Sequence, residues 1–177
     1  TGVRVHLHFV VSKDGDEAET SAWDTFGMPQ LAGRLCLSSS NLASSRSLVA
    51  FLVDDLGERE AERLVRRWVR NLALPPFASQ DELLAAVRDG RCEYAFATSH
   101  GDLDGLAAVS PSPHYFDVSA VGVARHAGQA DSAQRLVEWL LENRTDYFRG
   151  ETDLRPAGIA GWHDEVARRL VERAGYR

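Results

Sequence analysis

The sequence predicts an α/β fold, because strand-like segments alternate with helical segments through the first two-thirds of the chain. The strand-like segments RLCLS at 34–38 and CEYAFAT at 92–98 are separated by three predicted helices. Such alternation is typical of a mostly parallel sheet. Ligands of parallel sheets bind at the carboxyl ends of the strands, so the polar residues that follow 34–37 and 92–97 are candidate site residues.

The remaining elements follow from hydrophobic periodicity and from helix start and stop residues. Residues 13–30 are polar and contain Gly15, Gly27 and Pro29, which predicts a loop with one short helical turn. A second loop is predicted over 101–113. The other predicted strands lie at 4–11 and 118–124, and the predicted helices lie at 47–56, 58–72, 79–89, 131–143 and 162–174.

The composition excludes two classes of function. The chain has 177 residues, which fits one domain, and its 26 acidic and 20 basic side chains give a net charge of −6. This acidic balance argues against a nucleic-acid surface, which normally carries a basic excess. No apolar run reaches about 18 residues, so no membrane insertion is expected.

The helix at 58–72 carries four arginines opposite its apolar face. One interpretation is an anion or nucleic-acid patch. The interpretation that we favour is a solvated face whose arginines pair with acidic neighbours along the helix. The arginines are Arg63, Arg66, Arg67 and Arg70, and the acidic neighbours are Glu58, Glu60 and Glu62.

The first candidate site is the run Ser38-Ser39-Ser40-Asn41, which comes between a strand and a helix. Hydroxyls and free backbone N–H groups at the N-terminus of a helix bind anions, because the donors are unsatisfied and the helix dipole favours negative charge. The alternative is an ordinary N-cap in a serine-rich loop. The phosphate-binding pattern GxxxxGK[ST] is absent from the sequence.

The second candidate site follows the strand at 92–98, where Thr98, Ser99, His100, Asp102 and Asp104 lie close together in the sequence. One histidine and two carboxylates are suited to metal binding or acid–base chemistry. The alternative is a solvated turn, and no HExxH or GxSxG motif supports an enzyme. His6 and His8 share one face of the first strand, a spacing that is more often structural than metal-binding.

The two cysteines, Cys36 and Cys92, leave two interpretations open. They are either buried free thiols or one disulfide, which requires an oxidising compartment. Each lies at the start of a predicted strand, so pairing between neighbouring strands is feasible. Two thiols without a CxxC motif do not form a zinc site by themselves.

The order of these segments resembles a known family. The matching segments are LAGRLCL at 31–37 with the turn 38–41 after it, SLVA at 47–50, WVRNLA at 68–73, DGRCEYA at 89–95, VSAVGV at 118–123 and the C-terminal helix at 165–177. Together they are similar to the second lobe and the C-terminal part of the ferric-iron class of periplasmic solute-binding proteins. These proteins are the capture components of ABC importers.

The resemblance implies a type II periplasmic-binding-protein-like fold with three αβα layers, in which one lobe is complete and the other is only partial. Residues 1–123 would form the ligand-binding lobe, with hinge strands at about 4–11 and 118–124. Residues 124–177 would form C-terminal helices that pack on a first lobe, for which this sequence has no counterpart.

The resemblance also assigns roles to individual residues. Ser39, Ser40 and Asn41 would contact an anion. The ligand-facing residues would be Ser79, Gln80, Thr98 and Ser99, with His100 as a metal ligand and Cys36–Cys92 as an interstrand disulfide. The ligand would be Fe(III) with a synergistic anion, or an oxyanion. Residues 98–101 stand where the family has a pair of iron-binding tyrosines, so the phenolate ligands are missing here.

The function implied is ligand capture for an ABC importer in the periplasm, without catalysis. The partners would be a small inorganic ligand and a transporter permease. A homodimer is also expected, through a surface left exposed by the missing lobe at Leu136, Trp139 and Leu140. The alternatives are the ligand-sensing domain of a transcription regulator, an enzyme that uses His100 with Asp102 or Asp104, and an interaction module without a ligand.

Overall fold

A mixed sheet with helices on both faces organises the structure, a computed structural model that describes residues 2–14, 22–99, 103–143, 155–156 and 160–177. In these residues the strands are β1 Gly2–Ser12, β2 Leu35–Cys36, β3 Tyr94–Thr98, β4 Ala107–Val109, β5 Tyr115–Val121 and β6 Arg155–Pro156. The α-helices are α1 Ala43–Leu56, α2 Glu58–Arg70, α3 Gln80–Arg88, α4 Ala130–Asn143 and α5 Ala160–Ala174.

The strand order is β2-β3-β1-β5-β6, and β4 also pairs with β1. The prediction of a mostly parallel sheet is wrong, because β1 runs antiparallel to β3, β4 and β5. The parallel pair β2–β3 is joined through the helices α1, α2 and α3. In contrast, β3, β4 and β5 follow one another without a described helix between them, and antiparallel strands need no helical crossover.

Successive residues of the strands point to opposite faces of the sheet and thereby build two cores. On one face Val10, Leu35 and Phe96 pack with residues of α1, α2 and α5. On the other face Val11, Cys36 and Ala95 pack with residues of α3. The three-layer αβα arrangement predicted from the sequence is therefore present.

Several element boundaries differ from the predicted ones. Helix α1 begins at Ala43, four residues before the predicted start, with Leu42 as its N-cap residue. Strand β4 lies inside the segment 101–113 that was expected to be a loop. Helix α3 begins at Gln80, one residue after the predicted start, and the hydroxyl of its N-cap residue Ser79 accepts a hydrogen bond from the N–H of Glu82.

The final helix packs against the lobe that precedes it. Ala167, Leu170 and Val171 of α5 belong to the same core as α1 and α2. This helix of the predicted 124–177 segment thus contacts the 1–123 part, and the division of the chain at 123 stays a prediction. On α4, Leu136 and Trp139 are 57% and 55% exposed, as expected, and Leu140 is half-buried.

The disulfide Cys36–Cys92 is present, with the two Cα atoms 5.9 Å apart. It joins β2 to the turn that leads into β3, and both cysteines are buried. Because β2 and β3 are adjacent parallel strands, this bond fixes the two strand ends that carry the candidate site residues. None of the described helices is long and apolar enough to cross a membrane.

Candidate ligand-binding site

The two candidate segments meet at one edge of the sheet. Strands β2 and β3 are parallel neighbours, with Cys36 opposite Ala95, so the turn 38–41 and the end of β3 at Thr98 leave the sheet side by side. Between them is a cavity of about 20 Å³, enough for one water-sized group. The polar residues that line it are His8, Ser38, Ser44, Ser45, Gln80, Thr98 and Tyr176.

Hydrogen bonds within the turn 38–41 hold its shape. The hydroxyl of Ser39 accepts from the N–H of Asn41 at 3.2 Å, and the carbonyl of Ser39 accepts from the N–H of Leu42 at 3.0 Å. The N–H of Ser39 donates to the carbonyl of Phe77 at 2.7 Å. The backbone N–H groups of Ser39, Asn41 and Leu42 are therefore used inside the protein.

The first turn of α1 supplies other donors beside this turn. The N-cap residue of α1 is Leu42, whose side chain has no acceptor and therefore caps none of the first N–H groups of the helix. The interpretation of Ser38–Asn41 as N-cap residues is therefore wrong. The hydroxyl-bearing residues Ser44 and Ser45 lie in this first turn and line the cavity.

Arg46 holds the turn 38–41 through hydrogen bonds to its carbonyl groups. Its Nη1 donates to the carbonyls of Ser40 at 3.2 Å and of Asn41 at 2.7 Å. Its Nε donates to Asp164 of α5 at 3.0 Å. Burial raises the pKa of Asp164, but the hydrogen bonds from Arg46 and Arg168 outweigh it, so that the pKa of Asp164 is lowered overall and the carboxylate stays charged.

Tyr176 closes the inner wall of the cavity. Its hydroxyl donates to the carbonyl of Ser38 at 2.6 Å. The phenol is fully buried, and burial raises its pKa well above the usual value. The hydroxyl of Tyr176 is therefore a neutral donor that is used within the protein.

Gln80 and Thr98, both predicted to face a ligand, are bound to each other. The side-chain Oε1 of Gln80 accepts from the backbone N–H of Thr98 at 2.8 Å and from its hydroxyl at 3.0 Å, and Nε2 donates to the carbonyl of Thr98 at 3.2 Å. Ser79 caps α3. The hydroxyl of Ser99 accepts from the N–H of Leu7 at 3.1 Å. These side chains lie near one another at the sheet edge, and their hydrogen-bonding groups are used within the protein.

His100 and Asp102 lie outside the described residues, so the predicted metal ligand has no described position. Asp104 is exposed. Among the residues that the structure describes, no group of three or more His, Cys, Asp or Glu side chains is placed to hold a metal ion.

Sequence reasoning missed a polar cluster made by His8, Ser47 and Asp117. The carboxylate Oδ2 of Asp117 lies 2.7 Å from the hydroxyl of Ser47 and 3.1 Å from Nε2 of His8, which is 3% exposed. Because a carboxylate only accepts, Nε2 carries the hydrogen in this pair and does not act as a base toward Ser47. The sequence feature that could have indicated this cluster is His8, which lies at an inward-facing position of β1.

Two of the four arginines of α2, Arg63 and Arg66, pair with acidic neighbours as expected for a solvated face. Arg63 pairs with Glu60 at 2.5 Å, and Arg66 pairs with Glu62 at 2.7 Å. Glu62 also pairs with Arg173 of α5 at 2.9 Å. These contacts support the interpretation of the cluster as paired surface charge.

Comparison with known proteins adds the context for this site. No family model matches the chain. Iron uptake protein A1 of Synechocystis is 24% identical over 161 residues, which cover 81% of this chain. The chain spans 45% of the length of that relative.

The solved structures give the stronger likeness. Trichodesmium IdiA (FutA), in complex with iron and citrate, matches 99% of this chain with a TM-score of 0.84 and 18% identity. The fold is that of the ferric-ion-binding proteins. Apo ferric ion-binding protein A of Pasteurella haemolytica matches 99% of the chain with a TM-score of 0.82 and 16% identity. The chain covers 70% and 68% of these two structures, which is consistent with the predicted partial lobe.

Proposed function

We propose that this chain forms the ligand-binding lobe of a solute-binding protein that delivers an iron–anion complex or an oxyanion to an ABC importer. One observation supports this most directly. A turn rich in hydroxyls and the uncapped first turn of a 14-residue helix meet at the carboxyl end of a parallel strand pair. This site occurs on a fold shared with proteins that bind ferric iron, one of them with citrate.

The chemistry of the site favours contact with the anion. The hydroxyls of Ser40 and Ser44 and the first N–H groups of α1 are hydrogen-bond donors, and the dipole of α1 favours negative charge at this end. Arg46 adds a positive charge next to the turn. Among the described residues that line the cavity, no carboxylate is present.

Iron would therefore reach this lobe as a complex with its anion. The hydroxyl of Tyr176 is bonded to the carbonyl of Ser38, and the described residues that line the cavity include no carboxylate that could bind Fe(III). We propose that the anion occupies the site and bridges to the metal. His100 and the part of the relatives that this chain does not cover are the candidate sources of further metal ligands.

The proposal also covers the compartment, the partner and the exposed side chains of α4. The disulfide agrees with an oxidising compartment such as the periplasm, and the fold relatives imply a transporter permease as partner. The exposed side chains of α4 would face either a first lobe or a second copy of the chain. No reaction is assigned. The ligand test below separates ligand capture from an interaction module without a ligand. A sensor domain would instead be recognised by reduced Cys36 and Cys92, and an enzyme by an activity that is lost in His100→Ala.

The test is a thermal melt of the non-reduced chain with citrate, phosphate, sulfate, ferric iron with carbonate, and ferric citrate, each in a separate sample. Ligand at about 100 times its Kd stabilises a protein by about 2.7 kcal/mol, which gives a clear shift of Tm. We expect a shift with at least one oxyanion and an equal or larger shift with ferric citrate.

A matched pair of variants tests whether the ligand binds at the turn 38–41. Ser40→Ala removes a buried hydroxyl from the turn, whereas Ser132→Ala removes an exposed hydroxyl from α4. The ligand-induced shift should decrease in Ser40→Ala and stay unchanged in Ser132→Ala. Unchanged Tm values across the whole panel would contradict ligand capture by this chain.

A further inference from the structure

All four carbonyls of the turn 38–41 accept hydrogen bonds from the protein itself. The carbonyl of Ser38 accepts from Tyr176, and that of Ser39 accepts from the N–H of Leu42. The carbonyls of Ser40 and Asn41 both accept from Arg46. Every carbonyl dipole of the turn is thus directed toward a donor of this chain.

This arrangement matters for an anion, because a carbonyl oxygen that faces an anion repels it. The carbonyls of Ser39 and Ser38 are held by partners close to the turn or deep in the core. Within the described part of the chain, the carbonyls of Ser40 and Asn41 accept from one and the same side chain, that of Arg46. Because both accept from Nη1, loss of the guanidinium group would leave both carbonyls without this donor and able to rotate toward the ligand.

Arg46 is itself held in place by the C-terminal helix. Its side chain is 19% exposed, and its guanidinium is oriented by Asp164 of α5 through the 3.0 Å contact with Nε. Asp164 is shared with Arg168, which lies 2.9 Å away. Two guanidinium groups and one carboxylate leave a net positive charge behind the turn. A guanidinium group holds its donors in one fixed plane, whereas a lysine ammonium carries three rotatable donors at the end of a flexible stem.

We propose that Arg46 is a positioning residue of the oxyanion site, which holds the carbonyls of Ser40 and Asn41 away from the ligand, and that Asp164 of α5 keeps Arg46 in this position. The inference rests on the proposed function, because it assigns a role within the same site. It makes the C-terminal helix part of the binding apparatus although none of its described residues belongs to the turn.

The experiment compares the full 177-residue chain with the variants Arg46→Lys, Asp164→Asn and Arg173→Gln. Arg46→Lys keeps the positive charge but replaces the planar guanidinium group with an ammonium group. Arg173→Gln is the matched control, because it removes an arginine of the same helix that pairs with Glu58 and Glu62 of α2 instead of the turn. Sulfate affinity is measured by calorimetry. Amide hydrogen exchange is measured over residues 39–45.

We expect Arg46→Lys to weaken sulfate binding at least tenfold and to speed exchange at the amides of Asn41 and Leu42. Asp164→Asn should give a smaller change in the same direction, and Arg173→Gln should change neither readout. If Arg46→Lys binds sulfate as the parent does, charge alone is sufficient and the positioning role is overturned.

The two proposals fail in different ways. If the parent chain binds none of the oxyanions, the proposed function fails, and hydrogen exchange then decides the role of Arg46 in shaping the turn. Faster exchange in Arg46→Lys would support that role, and unchanged exchange would overturn it. If the parent binds sulfate and Arg46→Lys binds it with the same affinity, only the positioning role fails.

Discussion

The side-chain amide of Gln80 forms three hydrogen bonds with Thr98, two to backbone atoms and one to the hydroxyl. The contact joins the first residue of α3 to the last residue of β3. Thr98 is 2% exposed, so these bonds are shielded from water. The pair therefore fixes the position of the strand end beside the cavity.

Replacing Gln80 with alanine should destabilise the protein by about 1–3 kcal/mol, because it leaves the buried N–H and hydroxyl of Thr98 without their acceptor. The measurement is urea unfolding, in which the midpoint should fall while the m-value stays constant. Gln134→Ala is the control, since Gln134 is exposed on α4 and its side chain donates to the exposed Glu138. That variant should stay within about 0.5 kcal/mol of the parent. Equal midpoints for Gln80→Ala and the parent would contradict the structural role of the pair.

Removing the disulfide should lower the free energy of unfolding by more than Gln80→Ala does. Cys36 and Cys92 are separated by 56 residues, and for a loop of that length the chain-entropy relation gives about 4 kcal/mol. The double variant Cys36→Ala/Cys92→Ala should show this loss in chemical denaturation under non-reducing conditions. Addition of a reductant should lower the stability of the parent and leave the double variant unchanged. A parent that unfolds at the same denaturant concentration with and without complete reduction would rule this out.

The phenol of Tyr176 predicts a stability loss at alkaline pH. Burial raises its pKa in the folded state above the value of about 10 expected when unfolded. A raised folded pKa contributes stability that is fully present below the unfolded pKa and is lost as the pH rises beyond it. The free energy of unfolding should thus decrease above about pH 10, and Tyr176→Phe should flatten this decrease. The check is urea unfolding at a series of pH values from neutral upward, in which identical slopes for both proteins would count against the prediction.

The shared carboxylate of Glu62 predicts a small effect at acidic pH. Its pKa is lowered, chiefly by the hydrogen bond from Arg66, against an opposing effect of burial and with further help from Arg173. A lowered folded pKa contributes stability that is present above the unfolded value and is lost as the pH falls. Because the site is near the surface, Glu62→Gln should cost about 0.2–1 kcal/mol at neutral pH.

The difference between Glu62→Gln and the parent should shrink below about pH 4, where the carboxyl group becomes protonated in both states. It should also shrink in high salt, which screens exposed charges. A difference that is constant from pH 7 to pH 3 would mean that packing, and not charge, is responsible.

The helices were predictable because their signals are local. The apolar spacing of α2 and the cap at Ser79 depend on residues within one or two turns. The disulfide and the fold resemblance were predictable from the order of segments around Cys36 and Cys92. In each case the residues that carry the signal are close in sequence or repeat a known pattern.

The direction of β1 was not predictable in the same way. The alternation of strands and helices indicates parallel pairs, but β1 pairs with β3, β4 and β5 across about 80 residues or more. Nothing in the segment 4–11 alone identifies those partners. Strand β4 has only three residues, too few for a periodic signal.

The candidate site shows the same limit. The turn 38–41 was found because hydroxyl residues between a strand and a helix are a local pattern. Arg46 was not found, since its role depends on Asp164, which is distant in sequence. The hydrogen bonds between Gln80 and Thr98 could not be predicted either, because only the tertiary structure shows which polar groups remain available to a ligand.

The pairing of β1 has a consequence for how the chain folds. Residues 8–12 of this strand pair with β3, and residues 2–7 pair with β5. Its partners are synthesised only after about a hundred further residues, so β1 has no described strand partner early in translation. Proteins dominated by such distant pairings fold slowly, because the loop must close before the contacts form. We expect the helices α1, α2 and α3 to be organised before β1 joins the sheet.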